Sequence, residues 1–121
     1  MSDRQQVIDL YFDSWNETDA DRRRDLIERS WAEDSQYVDP LADAVGRVAI
    51  DDNMAGVQAQ FPGQRFRRTS GIDMHHDRAR FEWVLADPDG GTTVAGIDYA
   101  EFADDGKLRR IAGFFGPVPE Q

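Results

Sequence analysis

Apolar residues fall at helical spacing in the first half of the chain and at strand spacing in the second. Val7, Ile8, Tyr11, Phe12 and Trp15 recur three and four positions apart, one stripe along a helix ending near Asn16. Ser2-Asp3-Arg4-Gln5 ahead of it has the spacing of a capping box. Asn16-Glu17-Thr18-Asp19 is a turn, with Thr18 or Asp19 placed to cap a second helix whose apolar face holds Leu26, Ile27, Ser30 and Trp31. On that helix Arg22, Arg23, Arg24, Glu28 and Arg29 read as a solvated face. Gln36 to Asp39 reads as a short strand stopped by Pro40, which holds Asp39 extended. Leu41 to Val45 reads as a loop ending at Gly46. A third helix follows from Arg47 to Gln60, with Ile50, Met54, Val57 and Phe61 inward and Asp51, Asp52 and Gln58 outward. Pro62-Gly63 stops it.

From Phe66 onward the period changes to two. Strands are predicted over 66–75, 79–86, 92–102 and 108–115. They are separated by turns at His76-Asp77-Arg78, Asp87-Pro88-Asp89-Gly90-Gly91 and Asp104-Asp105-Gly106-Lys107. Helices first, one short strand, another helix, then a four-stranded antiparallel meander make an α+β domain. Glycines at 71, 96 and 113 let such a sheet bend. A strongly curved sheet closed by helices leaves a conical pocket.

The length, 121 residues, suits a single domain over residues 1–121. With 14 basic and 24 acidic side chains the net charge is −10, which opposes binding to nucleic acid or anionic membranes. Cysteine is absent, so neither a disulfide framework nor a thiolate metal site is available. His75 and His76 are adjacent residues expected to point opposite ways, so they cannot easily chelate one metal together and no metal site is expected. The polar start and the lack of a long apolar run point to a cytoplasmic protein.

One acid breaks the apolar pattern. In Ala95-Gly96-Ile97-Asp98-Tyr99-Ala100, the residues Gly96, Asp98 and Ala100 share a face, so the Asp98 carboxyl points into space left by small neighbours. Burying a lone charge is costly, which marks Asp98 as a candidate site residue. Asp39, at the end of its strand, is a second. Tyr11, on the buried face of the first helix, needs a partner for its hydroxyl. A deep carboxyl kept neutral and a shallower one left ionised would serve proton abstraction beside a carbonyl. Trp15, Trp31, Tyr37, Met54, His75, Arg80, Trp83 and Phe115, together with Phe114, are the expected pocket lining.

The segments Tyr37-Val38-Asp39-Pro40, Gly46 with its helix, Gly96-Ile97-Asp98-Tyr99, and Asp105-Gly106-Lys107 leading to Gly113-Phe114-Phe115-Gly116 carry a resemblance. Over residues 3 to 116 the chain resembles the nuclear transport factor 2-like superfamily, the cystatin-like α+β barrel. That group includes SnoaL-like polyketide cyclases, scytalone dehydratase, limonene epoxide hydrolase and ketosteroid isomerase. Likeness to the isomerase implies that Asp39 shuttles a proton while Tyr11 and protonated Asp98 form an oxyanion hole. The isomerase's third-helix tyrosine falls near Met54 here. The resemblance implies a cofactor-free isomerase or cyclase acting on a small apolar, polyketide- or steroid-like molecule.

Three alternatives stand beside it. A scytalone-type dehydratase would use His75 with Tyr11, Tyr37 and Asp39. An epoxide hydrolase would use an Asp-Arg-Asp trio through Arg80. A non-catalytic binding or dimerisation module would pair Asp98 with Arg80 or His75. Ile97, Tyr99 and Glu101 on the outer sheet face suggest a homodimer through the sheet.

Overall fold

A computed structural model describes residues 3–121; Ser2 of the proposed capping box lies outside the described residues. Helix α1 (Asp3–Asn16) buries Ile8, Tyr11, Phe12 and Trp15, the predicted stripe. Its last residue anchors it, since the Asn16 amide accepts from the Phe66 N–H at 2.8 Å and donates to the Phe66 carbonyl at 2.9 Å. Helix α2 (Ala20–Ser30) is capped by Asp19, whose carboxylate accepts from the Arg22 N–H at 2.9 Å. Helix α3 (Arg47–Gln60) begins at Gly46, where φ is +89° and glycine carries no steric cost. Among the described residues no helix is long and apolar enough to cross a membrane.

Seven strands form one mixed sheet: β1 (Trp31–Asp39), β2 (Ala42–Val45), β3 (Arg65–Arg68), β4 (Asp73–His75), β5 (Arg78–Ala86), β6 (Thr92–Phe102) and β7 (Leu108–Phe115). The order is β2-β1-β7-β6-β5-β3, with β4 also on β5. All pairs are antiparallel except β1 with β7, which are parallel. The three helices cover one face of this curved sheet, α1 beside β3 and α3 against β1 and β2. Trp31, Ile50, Met54, Phe81, Leu108 and Ile111 fill the space between the layers.

Four expectations need correction. The first strand starts at Trp31, directly after α2, not at Gln36. A bulge between Trp31 and Gln36 leaves Glu33 and Asp34 exposed in succession, which breaks the two-residue period. Residues 42–45 form β2 rather than a loop, paired back onto β1. The predicted strand 66–75 is two strands, because Ser70 interrupts it. There the Ser70 hydroxyl, not a main-chain carbonyl, accepts the Glu82 N–H at 2.8 Å. Arg23 is buried, not solvated: its guanidinium donates to Asp51 (2.5 Å), to the Gln58 side-chain oxygen (3.0 Å) and to the Glu17 carbonyl (3.1 Å). Asp51 and Gln58 are accordingly half-buried between α2 and α3 rather than outward.

Candidate functional site

Three neighbouring strands bring the two acids to one place. Asp39 ends β1, where Val38 lies opposite Ala112 of β7. The next β7 residue, Gly113, lies opposite Asp98 of β6. Gly113 therefore sits between the two carboxylates. A Cβ there would fall 2.9 Å from Asp98 Oδ1, 3.4 Å from Asp39 Cβ and 3.6 Å from the Tyr37 hydroxyl oxygen. The missing side chain is what allows both acids and Tyr37 to share one corner.

Asp98 is 2% exposed. Tyr11 donates to its Oδ2 at 2.8 Å and the Trp83 indole N–H donates to its Oδ1 at 3.0 Å. Gly96 makes the second bond geometrically possible, because Trp83 lies flat over it; a Cβ at 96 would meet that indole at 2.5 Å. Burial pushes the Asp98 carboxyl up to about 7, against the two hydrogen bonds, and the charge of Asp39 adds to the rise. Asp98 thus exchanges its proton near neutrality. Burial, reinforced by Asp98, also holds the Tyr11 hydroxyl well above its ordinary range, so it stays protonated. Tyr37 is raised by burial and by the charges of Asp98 and Asp39. Its hydroxyl donates to Asp39 Oδ2 at 2.6 Å, while Asp39 Oδ1 accepts the Leu41 N–H at 2.8 Å.

Asp39 and Tyr37 line a cavity of about 410 Å³ between α3 and the concave sheet face. Trp15, Phe66, Trp83, Leu85 and Phe115 form its inner wall, and Asp52, Asn53, Val57 and Gln60 of α3 its other side. Asp98 and Tyr11 do not line it. They border a void of about 10 Å³ one layer deeper, behind Trp15, Tyr37, Phe66 and Trp83.

Of the predicted lining, Trp15, Tyr37, Trp83 and Phe115 face the cavity. Trp31 and Met54 do not: both are fully buried in the core under the helices. His75 and Arg80 are on the outer sheet face, as is Phe114. Arg80 lies opposite Tyr99 and pairs with Asp73 at 2.8 Å, so it pairs neither with Asp98 nor with water-activating acids in the cavity. His75, on the outer face, does not meet Tyr11 and Asp39 in a dehydratase site. The expectation that His75 and His76 point apart also fails. His76 leaves the strand with φ +51°, and the two Nδ1 atoms come within 3.0 Å. Among the described residues no group of three or more His, Cys, Asp or Glu is arranged to hold a metal ion. The sequence reading missed the α3 contribution of Asp52, Asn53 and Gln60; with Gly56 and Val57 they recur three and four residues apart, the signal that one side of that helix faces a space.

Three helices on a curved mixed sheet, enclosing an aromatic cavity with Asp39 and Asp52 in its lining, define an α+β cone. The pattern of the SnoaL-like domain matches residues 8–111, and the chain belongs to that family. A proposed isomerase of the SnoaL-like family from Agrobacterium tumefaciens is similar over 97% of this chain and 100% of that one, with 33% identity and a TM-score of 0.90. A protein from Catenulispora acidiphila with a ketosteroid isomerase-like fold, solved in complex with trimethylamine, is 16% identical over 91% of this chain and 85% of its own, with a TM-score of 0.72. A proposed polyketide cyclase from Sinorhizobium meliloti is 17% identical over 89% and 93%, with a TM-score of 0.68. The last two speak to the fold alone. No match is found among functionally curated proteins.

Proposed function

We propose that this protein is a cofactor-free proton-transfer enzyme of the isomerase or cyclase type. Its substrate is a small, ring-bearing carbonyl compound with a mainly apolar body. Asp39 is the base. It stands at the wall of the cavity; the Tyr37 hydroxyl and the Leu41 N–H each fix one of its oxygens, and each oxygen keeps a lone pair to accept a proton. Tyr11 and Asp98 are the donors that stabilise the enolate oxygen; protonated Asp98 has an O–H to offer, and Tyr11 turns the O–H it gives Asp98 in the empty site towards the incoming oxygen. They lie behind the indoles of Trp15 and Trp83, so the substrate oxygen reaches them by entering between those rings. The observation that carries the reading is the row Asp39–Gly113–Asp98. It sets two carboxyls in one corner, one half-exposed and one buried with its pKa moved to about 7. A buried acid that can hold its proton, beside a second acid at the cavity wall, is what abstraction and return of a proton beside a carbonyl require. The known binding of trimethylamine by a protein of this fold is in keeping with a cavity that takes small organic molecules.

The test is proton transfer itself. Deuterium uptake at the α-carbons of a panel of ring ketones is followed by NMR, and 5-androstene-3,17-dione conversion by ultraviolet absorbance. The wild type is expected to accelerate exchange with at least one of them, and Asp39→Asn to lose about a hundredfold or more of that rate. Exchange that is absent in the wild type, or unchanged in the variant, would reduce the cavity to a binding module.

A further inference from the structure

The cavity wall has a charge character as well as a shape. Tyr37, Trp15, Phe66, Trp83 and Phe115 form one unbroken run of rings. Their centroids are 5.5 Å apart for Trp15–Tyr37, 4.8 Å for Trp15–Phe66, 5.6 Å for Phe66–Trp83 and 5.9 Å for Trp83–Phe115. Asp39 stands at one end of this run, held by Tyr37, and the exposed Asp52 of α3 lines the same cavity. Asp51, next in sequence, is neutralised by Arg23, but Asp52 takes no part in that ion pair. The other polar side chains from α3, Asn53 and Gln60, are uncharged, and among the described residues no Lys, Arg or His lines the cavity.

Aromatic faces carry negative charge density and attract cations that have shed water. Carboxylates at the edge add to this, and a protein with net charge −10 supplies no opposing field. An anion entering here meets two carboxylates with no cation to balance them. A neutral ligand gains only from burial of its apolar surface. A ring compound bearing a positive charge gains from burial, from the rings and from both carboxylates.

We infer that the substrate of this cavity is an organic cation, an amine or quaternary ammonium group on a ring-bearing body, with its charge lodged between the aromatic wall and the Asp39/Asp52 edge. The inference rests on the cavity being the substrate site of the proposed enzyme. It specifies what that substrate carries besides the carbonyl.

Three probes of one shape separate the contributions of shape and charge: phenyltrimethylammonium, tert-butylbenzene and benzenesulfonate. Binding is read from the fluorescence of Trp15 and Trp83. The cation is expected to bind at least tenfold more tightly than its neutral counterpart, and the sulfonate not to bind. Asp52→Asn is expected to narrow the cation-to-neutral ratio several-fold, as is raising the salt concentration. Glu120→Gln, which removes the same charge from the exposed tail, is expected to leave that ratio unchanged. Equal or tighter binding of tert-butylbenzene, or no binding of the cation, would overturn the inference. So would a ratio that falls equally in Glu120→Gln, since the attraction would then be the net charge of the whole protein. These outcomes are independent of the deuterium exchange that tests Asp39 as a base. Exchange without cation preference would remove this inference alone, and cation preference without exchange would remove the enzyme reading alone.

Discussion

The buried carboxyl of Asp98 makes a measurable demand on stability. In the unfolded chain it titrates near its ordinary 3.8, and in the folded protein near 7. The sign follows from counting protons. Between these values the folded state holds a proton that the unfolded chain has released, so rising pH favours unfolding. The contribution is fully present below pH 4, is lost as pH rises towards 7, and is flat above that. The slope is about 1.4 kcal/mol per pH unit, which amounts to about 4 kcal/mol over the whole window. The useful comparison is with Asp98→Asn from pH 5.5 upward, since every other group is common to both proteins and cancels in the difference. In that variant the amide oxygen can accept from Trp83 and the amide nitrogen can donate to the Tyr11 oxygen, with no charge at any pH. Urea unfolding of both proteins would be followed by tryptophan fluorescence at pH 5.5, 6.2, 7 and 8. The stability of the wild type relative to the variant is expected to fall by about 2 kcal/mol between pH 5.5 and 7. That corresponds to a relative midpoint shift of about 1 M urea. A difference that stays constant across this range would mean that Asp98 is ionised throughout. The neutral donor required by the proposed oxyanion hole would then not exist.

Two further predictions concern the framework around the site. Gly96→Ala would place a methyl 2.4 Å from the Phe114 carbonyl oxygen and 2.5 Å from the Trp83 ring. The main chain of β7 cannot yield as a side-chain tip can, so a loss of about 3 kcal/mol is expected, with altered Trp83 fluorescence; a fully stable variant would show that β6 and β7 separate easily. Arg23→Ala leaves Asp51 partly buried without its partner and removes hydrogen bonds to Gln58 and the Glu17 carbonyl. A destabilisation of about 3 kcal/mol is expected in urea unfolding, and a change below 0.5 kcal/mol would show that solvent replaces the arginine.

The elements with strong punctuation were legible in the sequence. Helix α3 and strands β6 and β7 run over their predicted residues because a positive-φ glycine or a tight turn marks an end. The elements that were misread lack such marks. Residues 31–35 look unlike a strand because the bulge exposes two acids in a row, and β1 is held there by pairing with a strand more than 70 positions later. Arg23 was misread for a different reason. It lies among charged neighbours on α2, and only the approach of α3 decides which arginine is covered.

The site was legible to the extent that it follows from strand parity. Gly96, Asp98 and Ala100 share the inner face, and with them come Phe81 and Trp83 through the β5–β6 register. The same parity already separates residue 80 from residue 83 on one strand, so Arg80 and Trp83 could not both face the cavity. Arg78, Arg80 and Glu82 alternate with Ala79, Phe81 and Trp83, and the charged set goes to water. What parity cannot supply is depth. It puts Asp39 and Asp98 on one side of the sheet but does not say that aromatic rings seal one and leave the other at a cavity wall. That difference arises from long-range packing of α1 across β3, which sets Trp15 and Phe66 around the small void beside Asp98. It is also what raises the Asp98 carboxyl above its ordinary range, although the two acids share one corner. A substitution that thins this aromatic layer is accordingly expected to change the chemistry of Asp98 without touching it. Phe66→Ala should admit water to the inner void and lower the Asp98 pKa from about 7 towards its ordinary range. Carboxyl-carbon NMR titration of Asp98 in that variant is the direct measurement, and an unmoved titration would mean that the aromatic layer does not set the protonation of this site.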